Sequence, residues 1–170
     1  RRFFAQPGDA EARHQLLDWL GKYANVLHYD QIRLMDAHGV TRLVVPAEAP
    51  PPAELTLRLV PQVLRSEHIV FQDLFRHDGD GRVYMQMMVP LFEDLAANRP
   101  LGVVNLRIDP SEYLFPFIQK WPVPSQSAET LLVRREGDEV LFLNDLRFRS
   151  NAALAERSPL VPNSILPAAR

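Results

Sequence analysis

The sequence predicts an α+β fold: one five-stranded antiparallel sheet with helices on both faces, followed by the start of a second module. Three observations predict it. Apolar residues alternate with period two in five segments between positions 29 and 108, and turn signals join four of these into two hairpins. Helical spacing occupies 9–28 and 53–67, on either side of the first hairpin. The fourth and fifth strands each carry a wholly apolar side (Val83, Met85, Met87, Val89 and Leu91; Val104, Leu106 and Ile108) that needs an element with its own apolar stripe to cover it.

Each element has a local cause. Arg1 to Gln6 reads as the frayed end of something longer, broken by Pro7-Gly8. Asp9 is an N-cap with Glu11 in the first turn, where a negative charge suits the helix dipole. Leu16, Trp19, Leu20, Tyr23 and Leu27 set the stripe of the helix over 9–28. The period then changes: Ile32, Leu34, the turn "DAHG" and Val40 to Val45 make the first hairpin. A proline-rich loop, Pro46 to Pro52, leads to a helix over 53–67 carrying Leu57, Val60 and Leu64. Pro61 lacks a donor, and is expected to kink that helix or start a second one.

His68 to His77 and Arg82 to Phe92 are the third and fourth strands, joined by "DGDG", and Leu101 to Ile108 is the fifth. "DPSE" then starts a helix, with Asp109 as N-cap, Pro110 at the first helical position and Glu112 as capping-box partner. After the linker "PVPSQS", a third hairpin at 129–144 turns at Glu136-Gly137-Asp138, followed by a short helical stretch over 151–157. A two-stranded hairpin cannot bury a core alone. It is therefore expected to open a second module, with domains at 1–28, 29–121 and 122–170.

Composition narrows the function classes. With 170 residues, 46% of them hydrophobic, the chain holds one full domain and part of another. A net charge of −2 gives no basic face for nucleic acid. The absence of cysteine removes disulfides and thiolate catalysis. No run approaches the roughly eighteen apolar residues of a spanning helix, so the anchors of a membrane-bound parent would lie outside this segment. "DGDGR" resembles the start of a calcium loop, but Arg82 and Val89 stand where liganding oxygens belong, and it reads as a hairpin turn. The five histidines show no zinc spacing. No nucleophile elbow, phosphate loop or dinucleotide fingerprint is present, so neither enzyme chemistry nor a cofactor is expected.

The second side of the sheet is the informative one. It mixes Tyr84 and Gln86 of the fourth strand with Asn105 and Arg107 of the fifth, and the third strand groups Phe71, Asp73 and Phe75. The helix over 53–67 should cover part of that side. Covered polar groups need partners, and either a small polar ligand or an internal Asp73–Arg107 ion pair would supply them. Strand register decides whether the two polar sides coincide.

Four segments, "YDQIRLMDAHGVTRLVV", "HIVFQDLFRHDGDGRVYMQMMVPLF", "PLGVVNLRIDPSEYLFPFIQKWP" and "ETLLVRREGDEVLFLNDLRFR", resemble the extracytoplasmic double-Cache sensor domains, which are PAS-like in fold. Such domains belong to bacterial histidine kinases, diguanylate cyclases and chemoreceptors. The resemblance implies a membrane-distal module that binds a small molecule, a membrane-proximal module beginning at the third hairpin and ending partway, and pairing through N-terminal helices. It implies a periplasmic location, a membrane-anchored parent and a non-catalytic role for this segment. Its ligand contacts would come from Arg65, Phe71, Asp73, Tyr84, Gln86, Asn105 and Arg107. Amino-acid-binding relatives carry an arginine, tryptophan and tyrosine cluster, of which "VPQVLRSEHIVFQDL" offers Arg65 alone. The alternative is a ligandless dimerisation module of the same receptor class.

Overall fold

Capping, alternation and turn chemistry produce eleven described elements. The computed structural model describes residues 3, 8–94, 99–119, 129–146, 149 and 151–160. They run α1 (Ala10–Leu27), β1 (Gln31–Asp36), β2 (Thr41–Val45), α2 (Glu54–Ser66), β3 (Val70–Arg76), β4 (Val83–Asp94), β5 (Arg99–Ile108), α3 (Leu114–Gln119), β6 (Val133–Glu136), β7 (Glu139–Phe142) and β8 (Arg157–Pro159). The chain divides into two compact units, Arg1–Asp109 and Pro110–Arg170. The expected boundary at 121/122 lies outside the described residues.

In the first unit all five strands are antiparallel, in the order β2-β1-β5-β4-β3. The expected α+β architecture is present, with α1 on one face of the sheet and α2 on the other. The Asp9 side chain accepts the Ala12 N–H at 3.0 Å, which starts α1, and His28 ends it in the left-handed conformation. Leu20 and Ala24 are buried, with Leu16 and Leu17 beside them, against Ile32, Leu34, Leu43, Val104 and Leu106. The helix is turned relative to the expected stripe: Trp19, Tyr23 and Leu27 face outward. Small Ala24 lets the backbone approach the sheet, and the Leu16/Leu17/Leu20/Ala24 side becomes the contact.

α2 runs through Pro61 as one helix. Its buried side is Thr56, Val60 and Val63, while Leu57, expected inside, is exposed. The third strand departs further from simple alternation. Its pairing with β4 shifts between Gln72 and Phe75. A bulge of this kind reverses the sides downstream of it, so Phe71, Asp73 and Phe75 do not share a face. Phe75 is buried beside Tyr84, whereas Phe71 pairs with Met87 and is exposed. At the sheet centre Gly102 is obligatory: a Cβ there would lie 2.0 Å from the Met35 carbonyl oxygen.

In the second unit α3 opens at Leu114, four residues later than "DPSE" suggests, after a turn over 110–113. The third hairpin forms as β6 and β7, and β8 joins β7 to make a three-stranded sheet. That corrects the expected helical stretch over 151–157. Asn151 and Leu154 are left-handed, a conformation a right-handed helix cannot contain. The Leu154 N–H donates to the Phe142 carbonyl at 2.7 Å, leading Arg157–Pro159 alongside β7. Val140, Leu141, Phe142, Leu143, Ala152 and Ala153 are buried here. Among the described residues no helix is long and apolar enough to cross a membrane.

Candidate functional site

Register makes the polar sides of β4 and β5 coincide. Gln31 of β1 pairs with Arg107, Arg107 with Gln86, and Gln86 with Gln72, so one row of four polar residues crosses four strands. The adjacent row runs Arg33, Asn105, Met88, Val70. α2 lies over this side. At one end its Val60 and Val63 pack with Met35, Met88 and Val103; at the other, Ala53 and Leu55 pack with Phe75 and Tyr84. Thr56 lies between those ends and donates to Gln86 Oε1 at 2.8 Å. The result is a polar band between two apolar clusters, the composition of small-molecule sites.

Burial in the band is nearly complete. Gln31, Arg33, Thr56, Gln86 and Asn105 are each no more than 3% exposed. Asn105 Nδ2 also donates to Gln86 Oε1, at 2.8 Å, which leaves that oxygen fully engaged and turns the amide nitrogen elsewhere. Among the described residues three buried side-chain atoms in the unit have no hydrogen-bond partner: Gln31 Oε1, Arg33 Nε and Gln86 Nε2. All three belong to these two rows. Buried polar groups are otherwise almost always satisfied, so their concentration marks the place.

The charges are arranged unevenly. Arg107 donates through Nε to Asp30 Oδ2 at 2.6 Å, and its guanidinium carbon sits 4.0 Å from the Tyr84 ring centroid. The Tyr84 hydroxyl donates to Asp80 Oδ2 at 2.9 Å, and burial first, with that carboxylate second, pushes the phenol up to about 12. Arg33 donates to Thr41 Oγ1 at 2.9 Å and to the Pro50 carbonyl, both neutral. Burial, reinforced by repulsion from Arg107, brings its guanidinium down to about 10. One residue further along the proline-rich loop, the Pro51 carbonyl accepts from His77 Nε2 at 3.2 Å, while His77 Nδ1 accepts the Gly79 N–H at 3.0 Å.

Of the residues singled out from sequence, Tyr84, Gln86, Asn105 and Arg107 come together here. Arg65 does not: it is exposed in the last turn of α2. Phe71 is exposed on the opposite side of the sheet. Asp73 sits in the bulge and accepts from Gln72 Nε2 at 3.0 Å, and the anticipated Asp73–Arg107 pair is replaced by Asp30–Arg107. Sequence reasoning passed over Gln31, Arg33, Thr56 and Asp30. The signal for two of them was present in "QIRLM", where Gln31 and Arg33 alternate with Ile32 and Leu34. It becomes informative once β1 is known to be an interior strand covered on both sides.

No protein-family model matches the chain. No curated protein matches it either. Among solved structures it is similar to the ligand-binding domain of the Pseudomonas aeruginosa PAO1 amino acid chemoreceptor PctC in complex with GABA. That similarity has 18% identity and a TM-score of 0.39, over 60% of this chain and 57% of that one. The chain therefore spans less than two thirds of that domain.

Proposed function

We propose that this chain is the small-molecule-sensing part of an extracytoplasmic, membrane-anchored signalling protein, with the ligand held between α2 and the sheet. The observation that carries the reading is the group of buried, unpartnered atoms Gln31 Oε1, Arg33 Nε and Gln86 Nε2 on one covered side. Isolated buried polar atoms cost stability, and a bound molecule that meets them recovers that cost. The four sequence segments that resemble double-Cache domains support the same reading, including a periplasmic location and a cytoplasmic output of the kinase, cyclase or chemoreceptor kind. Tyr84, Gln86, Asn105 and Arg107, joined by Gln31 and Arg33, form the contact set. No side chain in it is assigned a catalytic step.

A thermal-shift screen of neutral, cationic and anionic small molecules tests the reading. A ligand specific to the folded state stabilises it by roughly 2.7 kcal/mol at a hundredfold excess over Kd. A compound that raises the melting temperature of the chain, with Gln86→Leu removing the shift while remaining folded, supports it. A screen without any such compound refutes it.

A second reading is favoured by the outer side of α1. Trp19, Tyr23, Val26 and Leu27 are 52%, 46%, 74% and 52% exposed, a contiguous apolar stripe that flanks the core-facing one. Trp19 and Tyr23 pack on each other with ring centroids 4.3 Å apart. Such a stripe suits pairing with the same helix of a second copy, as in a dimerisation module, and it is compatible with ligand sensing by each copy.

A further inference from the structure

His77 is the one histidine of the five that the fold encloses: it is 3% exposed, while His14, His28, His38 and His68 lie on the surface. Its two ring nitrogens have partners of opposite kind. The Pro51 carbonyl can only accept, so Nε2, 3.2 Å away, carries a proton. The Gly79 N–H can only donate, so Nδ1, 3.0 Å away, carries none. The ring is therefore neutral, in a single tautomer, and ties the proline-rich loop to the turn between β3 and β4. Gly79 lies close against it, since a Cβ there would come within 3.0 Å of His77 Cε1.

A second proton has one place to go, Nδ1, where it opposes the Gly79 N–H. The acceptor within reach is Asp80 Oδ1, at 3.5 Å. Asp80 is engaged elsewhere: Oδ1 accepts the Arg82 N–H and Oδ2 the Tyr84 hydroxyl, both at 2.9 Å. Burial opposes its charge, but those two bonds outweigh burial and hold its carboxyl below the usual value. From α2, the Glu54 N–H donates to Asp78 Oδ2 at 2.9 Å and holds that carboxyl low as well, and Arg58 pairs with Glu54. β3 contributes Arg76, which donates to the Gly81 carbonyl at 2.7 Å. β4 contributes the Tyr84 ring, edge-on at 5.9 Å, with Arg107 of β5 against that ring. Two carboxylates thus stay ionised across the range in which a histidine titrates. We propose that His77 is a proton-operated switch of the β3–β4 turn: a proton taken up at Nδ1 releases the Gly79 N–H and draws Asp80 off the Tyr84 hydroxyl, while Nε2 keeps Pro51. A neutral hydrogen bond of the turn and the Asp80–Tyr84 bond at the wall of the polar band are exchanged for a charged pair. The device is independent of what the band binds.

The test is nuclear magnetic resonance of the full chain between about pH 8 and about pH 5, the span of histidine titration. At the upper end the His77 ring is expected as the Nε2–H tautomer. As the pH falls, the Gly79 amide and the ring carbon bearing the Tyr84 hydroxyl are expected to shift with the same midpoint as the His77 ring. His77→Gln keeps a donor for Pro51 and takes up no proton, so both responses are expected to vanish in it. Asp80→Asn gives an independent reading should that variant fail to fold: His77 still titrates, and the Tyr84 response is lost because the carboxylate that moves is gone. An Nδ1–H tautomer at the upper end overturns the proposal, as does a His77 that takes up no proton in the folded chain. A His77 that titrates without Gly79 and Tyr84 following it overturns it too. So does a Tyr84 response that persists in folded His77→Gln or in folded Asp80→Asn.

Discussion

Arg107 is held on two sides: its Nε and a terminal nitrogen both lie 2.6 Å from Asp30 Oδ2, and its planar group rests 4.0 Å from the centroid of the Tyr84 ring. A single carboxylate thus neutralises the better-compensated of the two buried cations, and the aromatic face adds a cation–π contact. Asp30 lies at the end of the α1–β1 connection, where the Asp30 N–H donates to the Arg107 carbonyl at 3.0 Å. Backbone and side chain fix the same pair.

Removing Asp30 therefore strands a charge. Asp30→Ala is expected to destabilise the first unit by about 3 kcal/mol, the cost of leaving a buried partner uncompensated, whereas Arg107→Met costs less because no orphan ion remains. Urea denaturation of both single variants and the double variant measures this. An Asp30→Ala loss no larger than that of an exposed pair, below about 1 kcal/mol, would contradict it.

Gly102 gives the sharpest packing expectation. Alanine there meets the Met35 carbonyl oxygen at 2.0 Å, backbone against backbone, so relief requires β1 and β5 to separate. Gly102→Ala is expected to cost about 3 kcal/mol or more. Gly81, with open space around its Cβ position, is the control among glycines of positive φ.

Tyr84 predicts a pH dependence whose sign is fixed. Its phenol rises from 10.0 in the open chain to about 12 in the folded one, so the folded state holds the proton more tightly. Stability from this group is intact below pH 10 and is lost as pH rises towards 12. Arg33, lowered in the folded state, contributes the opposite slope over the range above about 10, so the comparison is between variants. Tyr84→Phe should abolish the downward component, measured by urea midpoints at a series of pH values. Identical slopes for the two proteins would refute the assignment.

The apolar stripe on α1 predicts self-association. Sedimentation at increasing concentration should reveal a dimer, and Trp19→Glu with Tyr23→Glu should return it to a monomer without lowering the melting temperature, since neither side chain belongs to the core. A strictly monomeric chain at all concentrations counts against the dimerisation reading.

Strand and helix existence was legible because each rests on local pattern: Asp9 capping α1, "DAHG" and "DGDG" turning two hairpins, period-two alternation in β4 and β5. Facing was legible only where alternation is unbroken. The bulge after Gln72 moved Phe71 and Phe75 to opposite sides, and nothing in "VFQDLFR" announces it. Trp19 and Tyr23 misled for a different reason. Large aromatics dominate any helical stripe, yet small Ala24 is what allows the close approach of α1 to the sheet. Half of the candidate site followed from β4 and β5. The β1 half needed topology, because Gln31 and Arg33 matter only when β5 lies beside them.

The strand order also dictates an order of assembly. The hairpins β1–β2 and β3–β4 can each close locally, and within the sheet it is β5, its last strand in sequence, that joins them. Loop closure for β1 with β5 spans most of the unit, the kind of contact that slows folding. During synthesis, neither row of the polar band exists until the residues up to Ile108 have emerged and inserted between the two waiting hairpins. The band is then completed in one event, at the same moment as the sheet, so no half-formed version of the domain presents its buried polar atoms together.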